Sequence, residues 1–474
     1  MKIRISVIMV LILVAVLGFI AYTNLFREVP VIYTSDEDLF KYGSLGTEKS
    51  GLPFYVWEVF PQLFPEYLPA GADGMRPYSY FGFIWEDGRD IPIGLSKKTI
   101  GFPRLGVNCA MCHTGTFRTQ PNDKSKLILA GSAPQFDVQA YQRFLFKCVN
   151  DPKFSPENVV NEIKKNHDLS LTKKLIYRYL IVPKVKNALL EREENVAWLE
   201  DLPPHGPGRS GLGLLSLPLG IPQEDTETVG GYDIMTLWNA KAHRGQPIHW
   251  DGFNTKRFEV FLSASATMGA VKKDLEMDNL RQLEKYLDEI QPPDYPFLIN
   301  NELAGKGQKI FVENCASCHA AGHANVGKVI DIDLVGTDPY RLSSWPESAV
   351  KALEEWSTEE EYDSIFTHFR KTNGYKAVPL DGIWATAPYL HNGSVPTLMD
   401  LLLEPENRPK VFYRGYDVID SLHVGFVSDV PEESGYKFFR YNTSDIGNSN
   451  QGHTYGTHLS LNEKKSLVEY MKTL

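Results

Sequence analysis

Cys109-Ala110-Met111-Cys112-His113, echoed by Cys315-Ala316-Ser317-Cys318-His319, decides what this chain folds around. Two cysteines with two residues between them and a histidine directly after form the attachment pattern of a c-type haem. The thiols add across the porphyrin vinyl groups, and the histidine becomes the proximal ligand of the iron. Four of the five cysteines lie in these motifs. A disulfide, a redox Cys-x-x-Cys pair or half of a zinc site can be written with the same cysteines, but a zinc ribbon leaves both histidines without a role. The sequence therefore predicts two covalent haem c groups, on Cys109, Cys112 and His113 and on Cys315, Cys318 and His319. Cys148 is left over, inside a helix-like stretch, and reads as a small buried thiol.

The chain has 474 residues, 43% of them hydrophobic and 12% aromatic, enough for two or three cored domains. A net charge of −10 without a basic tract argues against nucleic acid. It suits steering of a basic small redox protein; a quinone-linked donor or acceptor is the other partner considered. Lys2 and Arg4 precede an apolar run from Ile5 to Tyr22 with no clear small-x-small cleavage site behind it. We read an uncleaved membrane anchor over 1–26, with a removed signal peptide as the alternative. Either places the remainder on the periplasmic side, where haem is attached. The expected division is 1–26 anchor, 27–295 N-terminal haem domain and 296–474 C-terminal haem domain, the Pro292-Pro293 and Pro296 cluster marking the second boundary.

Residues 27–105, rich in aromatics, proline and glycine, read as loops and turns packed by rings. Helices are expected over Val138 to Asn150, over most of Pro156 to Glu200, over Leu275 to Glu289, over Val350 to Arg370 and over Leu459 to Leu474. Leu171, Leu175, Tyr179 and Val182 recur at helical spacing, and Pro183 should kink or split that helix. His167 reads as solvated. Leu202 to Gly213 is a break in which Arg209 could pair with a haem propionate or form an ordinary salt bridge. Gly307, Phe311 and Cys315 are spaced by four: the glycine for close approach of another helix, the phenylalanine against a porphyrin.

As a set, several stretches resemble the bacterial dihaem cytochrome c peroxidase superfamily, and within it the rubber-oxygenase branch. They are Tyr42-Gly43-Ser44-Leu45-Gly46, the first attachment motif with Asn108 before it, Gly206-Pro207-Gly208-Arg209, Gly382-Ile383-Trp384 through Ala387-Pro388-Tyr389-Leu390-His391-Asn392-Gly393-Ser394, and the loop Gly447 to His453. The resemblance runs from about residue 35 to the C-terminus. It implies a mainly α fold of two cytochrome c-type domains packed face to face, with long loops and few short strands. It also implies a tryptophan between the haems, for which Trp250 in His249-Trp250-Asp251-Gly252 is the match and Trp238 the reserve, and calcium at the domain interface, for which no ligands are assigned.

Function turns on the face of each iron opposite its proximal histidine. For the second haem the expected distal ligand is His453, which the oxygenase branch places in that glycine-rich loop; Met399 is the peroxidase-type alternative. His391 reads as structural. For the first haem, Thr114 to Ala140 holds no histidine, so the site is expected open, with His243 or His249 as remote ligands otherwise. The resemblance puts an apolar distal wall in Phe258 to Met268. An open first haem implies an oxidoreductase using peroxide or dioxygen; two six-coordinate irons imply an electron carrier.

Overall fold

The computed structural model describes residues 2–71, 74–211, 229–359 and 366–474. Helices and short strands alternate along it. Among the described residues, strands of two to six residues pair antiparallel into one three-stranded and six two-stranded sheets. The expectation of few strands is therefore corrected to a mixed architecture. The long Gly- and Pro-rich connections must satisfy their own N–H and C=O groups, and they do so by pairing into hairpins.

The chain begins with a lone apolar helix, Lys2–Ala21, continued by a wider turn over Tyr22–Phe26. Residues Val7–Phe26 have the length and hydropathy of a membrane span, and none of their most apolar window is buried in the protein. Residues 27–105 are more ordered than expected. Asp36–Tyr42 and Phe54–Leu63 are helices, and Leu95–Ile100 pairs with Phe102–Val107 around Gly101. Aromatic-rich helices with Pro61 inside carry little intrinsic propensity; burial of Phe54, Trp57 and Phe60 holds them. The expected ring packing is present: Trp57 stacks on Tyr78 at 4.2 Å, and Phe60 on Phe154 at 5.3 Å.

The helix Val138–Asn150 starts at an Asp137 cap and buries Cys148. Pro156–Asn166 follows, then Leu171–Ile176, which runs through a π turn, Tyr177–Ile181, into Val182–Asn195. The π turn absorbs Pro183, whose missing N–H would otherwise break the ladder. His167 is half-buried, stacked on Tyr55 and paired with Glu58, so the solvated reading is corrected. Met277–Glu289 closes this half. Of the helix expected over Val350 to Arg370, Glu347–Glu359 is present, residues 360–365 lie outside the described residues, and Phe366 to Arg370 has no regular secondary structure. The last two residues of the Leu202 to Gly213 break also lie outside them.

In the second half, Asn301–Asn314 leads into the second motif and packs against Leu461–Met471, which opens on a Ser460/Glu463 capping box. Gly307 does what its spacing suggested: a Cβ there would sit 1.9 Å from the Ser466 carbonyl oxygen. Two apolar cores interleave. The first, built on 39–287, is closed by Trp345, Leu353 and Phe369; the second, around Phe311, Trp384 and Leu467, recruits Phe117, Ile128 and Trp238.

Candidate functional site

The first motif is held by its neighbours in the resemblance set. Asn108 accepts from the Ala110 N–H at 3.0 Å, capping the tight turn Cys109–Met111, and donates to the Gly43 carbonyl at 3.1 Å. Gly94 passes so close that a Cβ would lie 2.3 Å from Met111 Cα. Cys109, Cys112 and His113 then face a cavity of about 1510 Å³. Burial pushes His113 down to about 4, which keeps the imidazole neutral, the form that binds iron. Phe258 and Phe261 of the helix Arg257–Thr267, and Met268 just after it, also line this cavity. The cavity exceeds the roughly 300–1,000 Å³ of an ordinary ligand pocket.

His249 and Lys376 also line the cavity. His249 stacks on Phe253 at 4.3 Å and has a left-handed backbone, φ +65°. Burial, Arg341 and His113 together hold it near 3. Lys376 is pushed down to about 8 by burial. His243, the other remote candidate, is paired with Asp381 at 2.8 Å.

In the second motif His319 Nδ1 donates to the Val378 carbonyl at 2.7 Å, which fixes the ring and leaves Nε2 as the coordinating atom. Across from it stands His453, ring centres 6.2 Å apart. An imidazole–metal bond of about 2 Å, plus about 1.1 Å from nitrogen to ring centre, gives about 6.2 Å between two rings that share one iron. His453 sits at φ +47°, a strained conformation for a side-chain residue, with its N–H on the Val335 carbonyl. Arg408, itself buried, holds that loop by donating to the carbonyls of Asn450, Gly452 and His453. Burial pushes Arg408 down to about 10. Met399 instead hydrogen-bonds its N–H to the His423 carbonyl and packs on the second core.

A buried set of cations and acids lies elsewhere in the fold. Arg209 donates to the His205 and Gly231 carbonyls and forms no carboxylate pair among the described residues. Arg414 pairs with Asp233 at 2.7 Å and Arg341 with Asp251 at 3.2 Å. The Nε of all three, and Nη1 of Arg341, are buried without a hydrogen-bond partner among the described residues. Orphaned buried guanidinium N–H groups cost free energy unless an anion meets them, so these three arginines fit haem propionates. Arg341, Arg414 and Arg408 were not singled out from sequence: each acts on carbonyls or acids remote in the chain, which leaves no local pattern. His391 stacks on Tyr375 at 4.0 Å inside the same set.

Trp250 joins the two regions. It lines the first cavity, its Nε1 donates to the Asp233 carbonyl at 2.7 Å, and its own carbonyl accepts from Lys376, two residues before the Val378 that orients His319. Trp238, the reserve, also lines the cavity and donates to the Asp381 carbonyl. Among the described residues no three His, Cys, Asp or Glu side chains converge on a metal-ion site. That removes the zinc-ribbon geometry there, and it supplies no carboxylate cluster for calcium.

A family described as RoxA-like, cytochrome c-like matches residues 374–413. That stretch contains both the Val378 carbonyl behind His319 and Arg408 behind His453. It supports the rubber-oxygenase-like cytochrome c branch, and a cytochrome c-like domain implies covalently bound haem c. The chain is also similar to uncharacterized protein y4iJ of Sinorhizobium fredii (strain NBRC 101917 / NGR234), 24% identical over 83% of this chain and 84% of the relative. Uncharacterized protein y4iM of the same strain is 30% identical over 42% of this chain and 50% of the relative.

Proposed function

We propose that this is a membrane-anchored, periplasmic dihaem c-type cytochrome that works as an oxidoreductase. Cys109, Cys112 and His113 hold one haem, Cys315, Cys318 and His319 the other, and Arg209, Arg341 and Arg414 take propionates. Bound haem supplies redox chemistry with peroxide or dioxygen where its iron has a free face, and electron transfer where it has none. The observation that carries the reading is the contrast between the two sites. His453 stands at the spacing of a sixth ligand, whereas His113 looks into a large cavity walled by Phe258, Phe261 and Met268. Such a wall excludes water and favours an apolar substrate with dioxygen over bare peroxide. Lys376, with its Nζ pushed down to about 8, lines that cavity and can hold or give up a proton there. Trp250 relays electrons, its indole shortening the gap between the sites. A small redox protein or a quinone-linked carrier exchanges electrons with the second haem.

A second reading, an electron carrier with both irons six-coordinate, is favoured by His249, which shares the cavity with His113 and, like His453, sits at positive φ. Electron paramagnetic resonance of the oxidised protein separates the two. One high-spin and one low-spin iron, with carbon monoxide binding to one haem, supports the oxidoreductase. Two low-spin irons and no carbon monoxide binding supports the carrier.

A further inference from the structure

We propose that one side wall of the N-terminal half lies on the lipid bilayer, so that the first-haem cavity opens into the acyl-chain region and not into water. This rests on the membrane-anchor reading above. The starting point is a helical stripe that faces the wrong way for a core. Leu171, Leu175 and Tyr179 recur every four residues, as on one face of a buried helix, yet they are 73%, 49% and 70% exposed, while Tyr177, Ile181 and Val182 pack inward. A contiguous exposed apolar stripe marks an interaction surface.

The geometry says what covers it. The end of the N-terminal apolar helix lies against the hairpin turn: a Cβ on Gly101 would sit 2.4 Å from Leu25 Cα. The next residue, Phe102, meets the Tyr177 ring at 6.0 Å, on the same helix as the stripe. Val29 and Val31 are exposed beside this junction, and Ile32 is 89% exposed. A chain of packed contacts thus runs from the end of the membrane span through Phe102 and Tyr177 to the helix that carries the stripe. Residues 171–190 hold Lys173, Lys174, Arg178, Lys184 and Lys186 and no acidic residue, in a chain of net charge −10. An apolar face with basic residues on its flank is the composition of a helix lying in a bilayer interface among anionic headgroups.

Leu25, Phe26, Leu180, Ile181 and Lys184 all line the cavity, and Phe26 and Leu180 are also 65% and 47% exposed, so these two mark a lip beside the end of the span. A compound dissolved in acyl chains reaches this entrance without crossing water.

The test uses the full haem-loaded chain in vesicles of phosphatidylcholine with phosphatidylglycerol. A p-benzoylphenylalanine is placed in turn at Leu175, Tyr179 and the lip residue Leu180, at Phe19 inside the span as positive control, and at the exposed Leu334 as negative control. After irradiation, intact mass reads what each position touches. The proposal expects a one-phospholipid adduct at all three sites and at Phe19, and none at Leu334. No lipid adduct at the three sites while Phe19 gives one overturns it, and so does an adduct of two chains, which would mean that a second copy covers the stripe. The same spectra show whether residues 1–26 are retained, so loss of the anchor reading is seen separately. The haem spin states do not enter the readout, so a failure of the oxidoreductase reading is separate too.

Discussion

Removing the His453 imidazole should change the second iron and leave the loop that carries it in place. The ring-centre separation of 6.2 Å from His319 leaves room for one iron bonded at about 2 Å to each ring, so His453→Ala empties one coordination position. One of the two irons should pass from low to high spin in the oxidised protein, and carbon monoxide stoichiometry should rise by one per chain. The backbone at φ +47° costs roughly 1 kcal/mol or more for a residue with a Cβ, and Ala retains that cost while Gly does not. His453→Gly should therefore lose the same low-spin signal yet unfold about 1 kcal/mol later than His453→Ala. Arg408 grips the carbonyls of Asn450, Gly452 and His453 and not the imidazole, so both variants should still carry two haems by pyridine haemochrome. A low-spin signal that persists unchanged in both variants refutes the assignment. So does a Gly variant no more stable than the Ala variant, for the strain.

Other expectations follow from the same geometry. Pyridine haemochrome should find two covalent haems per chain, and one in Cys109→Ala/Cys112→Ala; fewer than two in the unaltered chain undoes the account. Gly307→Ala should destabilise the second half by about 1–3 kcal/mol, because its Cβ would overlap the Ser466 carbonyl; denaturant unfolding followed at the second haem checks this. Trp250→Phe should leave both optical spectra unchanged and slow electron passage between the haems in stopped-flow reduction; an unchanged rate removes the relay. His243→Ala should not alter either haem spectrum, because His243 is committed to Asp381. Burial raises the Asp381 carboxyl, but hydrogen bonds from His243 and Asn239 outweigh it and hold the group below its usual range. That pair stabilises the fold above the unfolded carboxylate value and is lost as pH falls through the lower folded one. The acid side of the stability–pH curve should therefore flatten in this variant.

The chemistry of attachment is local, which is why the sequence alone can propose it. Thioether formation needs two thiols and an imidazole within five residues, and those identities survive any packing. The close approach at Gly307 and the closing helix were legible for the same reason. The expectation for His453 came from the resemblance and not from spacing. The strand content of 27–105 was not, because Leu95–Ile100 and Phe102–Val107 hold polar and proline positions that propensity disfavours and only cross-strand pairing stabilises. The stripe Leu171–Leu175–Tyr179 shows the limit most plainly: its period is that of a buried helix face, and the fold turns it outward.

By itself the sequence determined the covalent inventory: which cysteines can bind porphyrin, which histidines follow them, which segment is apolar enough to span a bilayer, and that no basic tract awaits nucleic acid. Only the tertiary structure decided which side chains face one another across gaps of hundreds of residues. It brought His453 to 6.2 Å from His319, buried Arg209, Arg341 and Arg414 with N–H donors of their own left unpaired, and lined one cavity with Phe258, Phe261 and His113. Covalent reactivity belongs to neighbours in the chain, whereas iron ligation, propionate pairing and pocket shape depend on distances of a few ångströms between residues that only folding brings near.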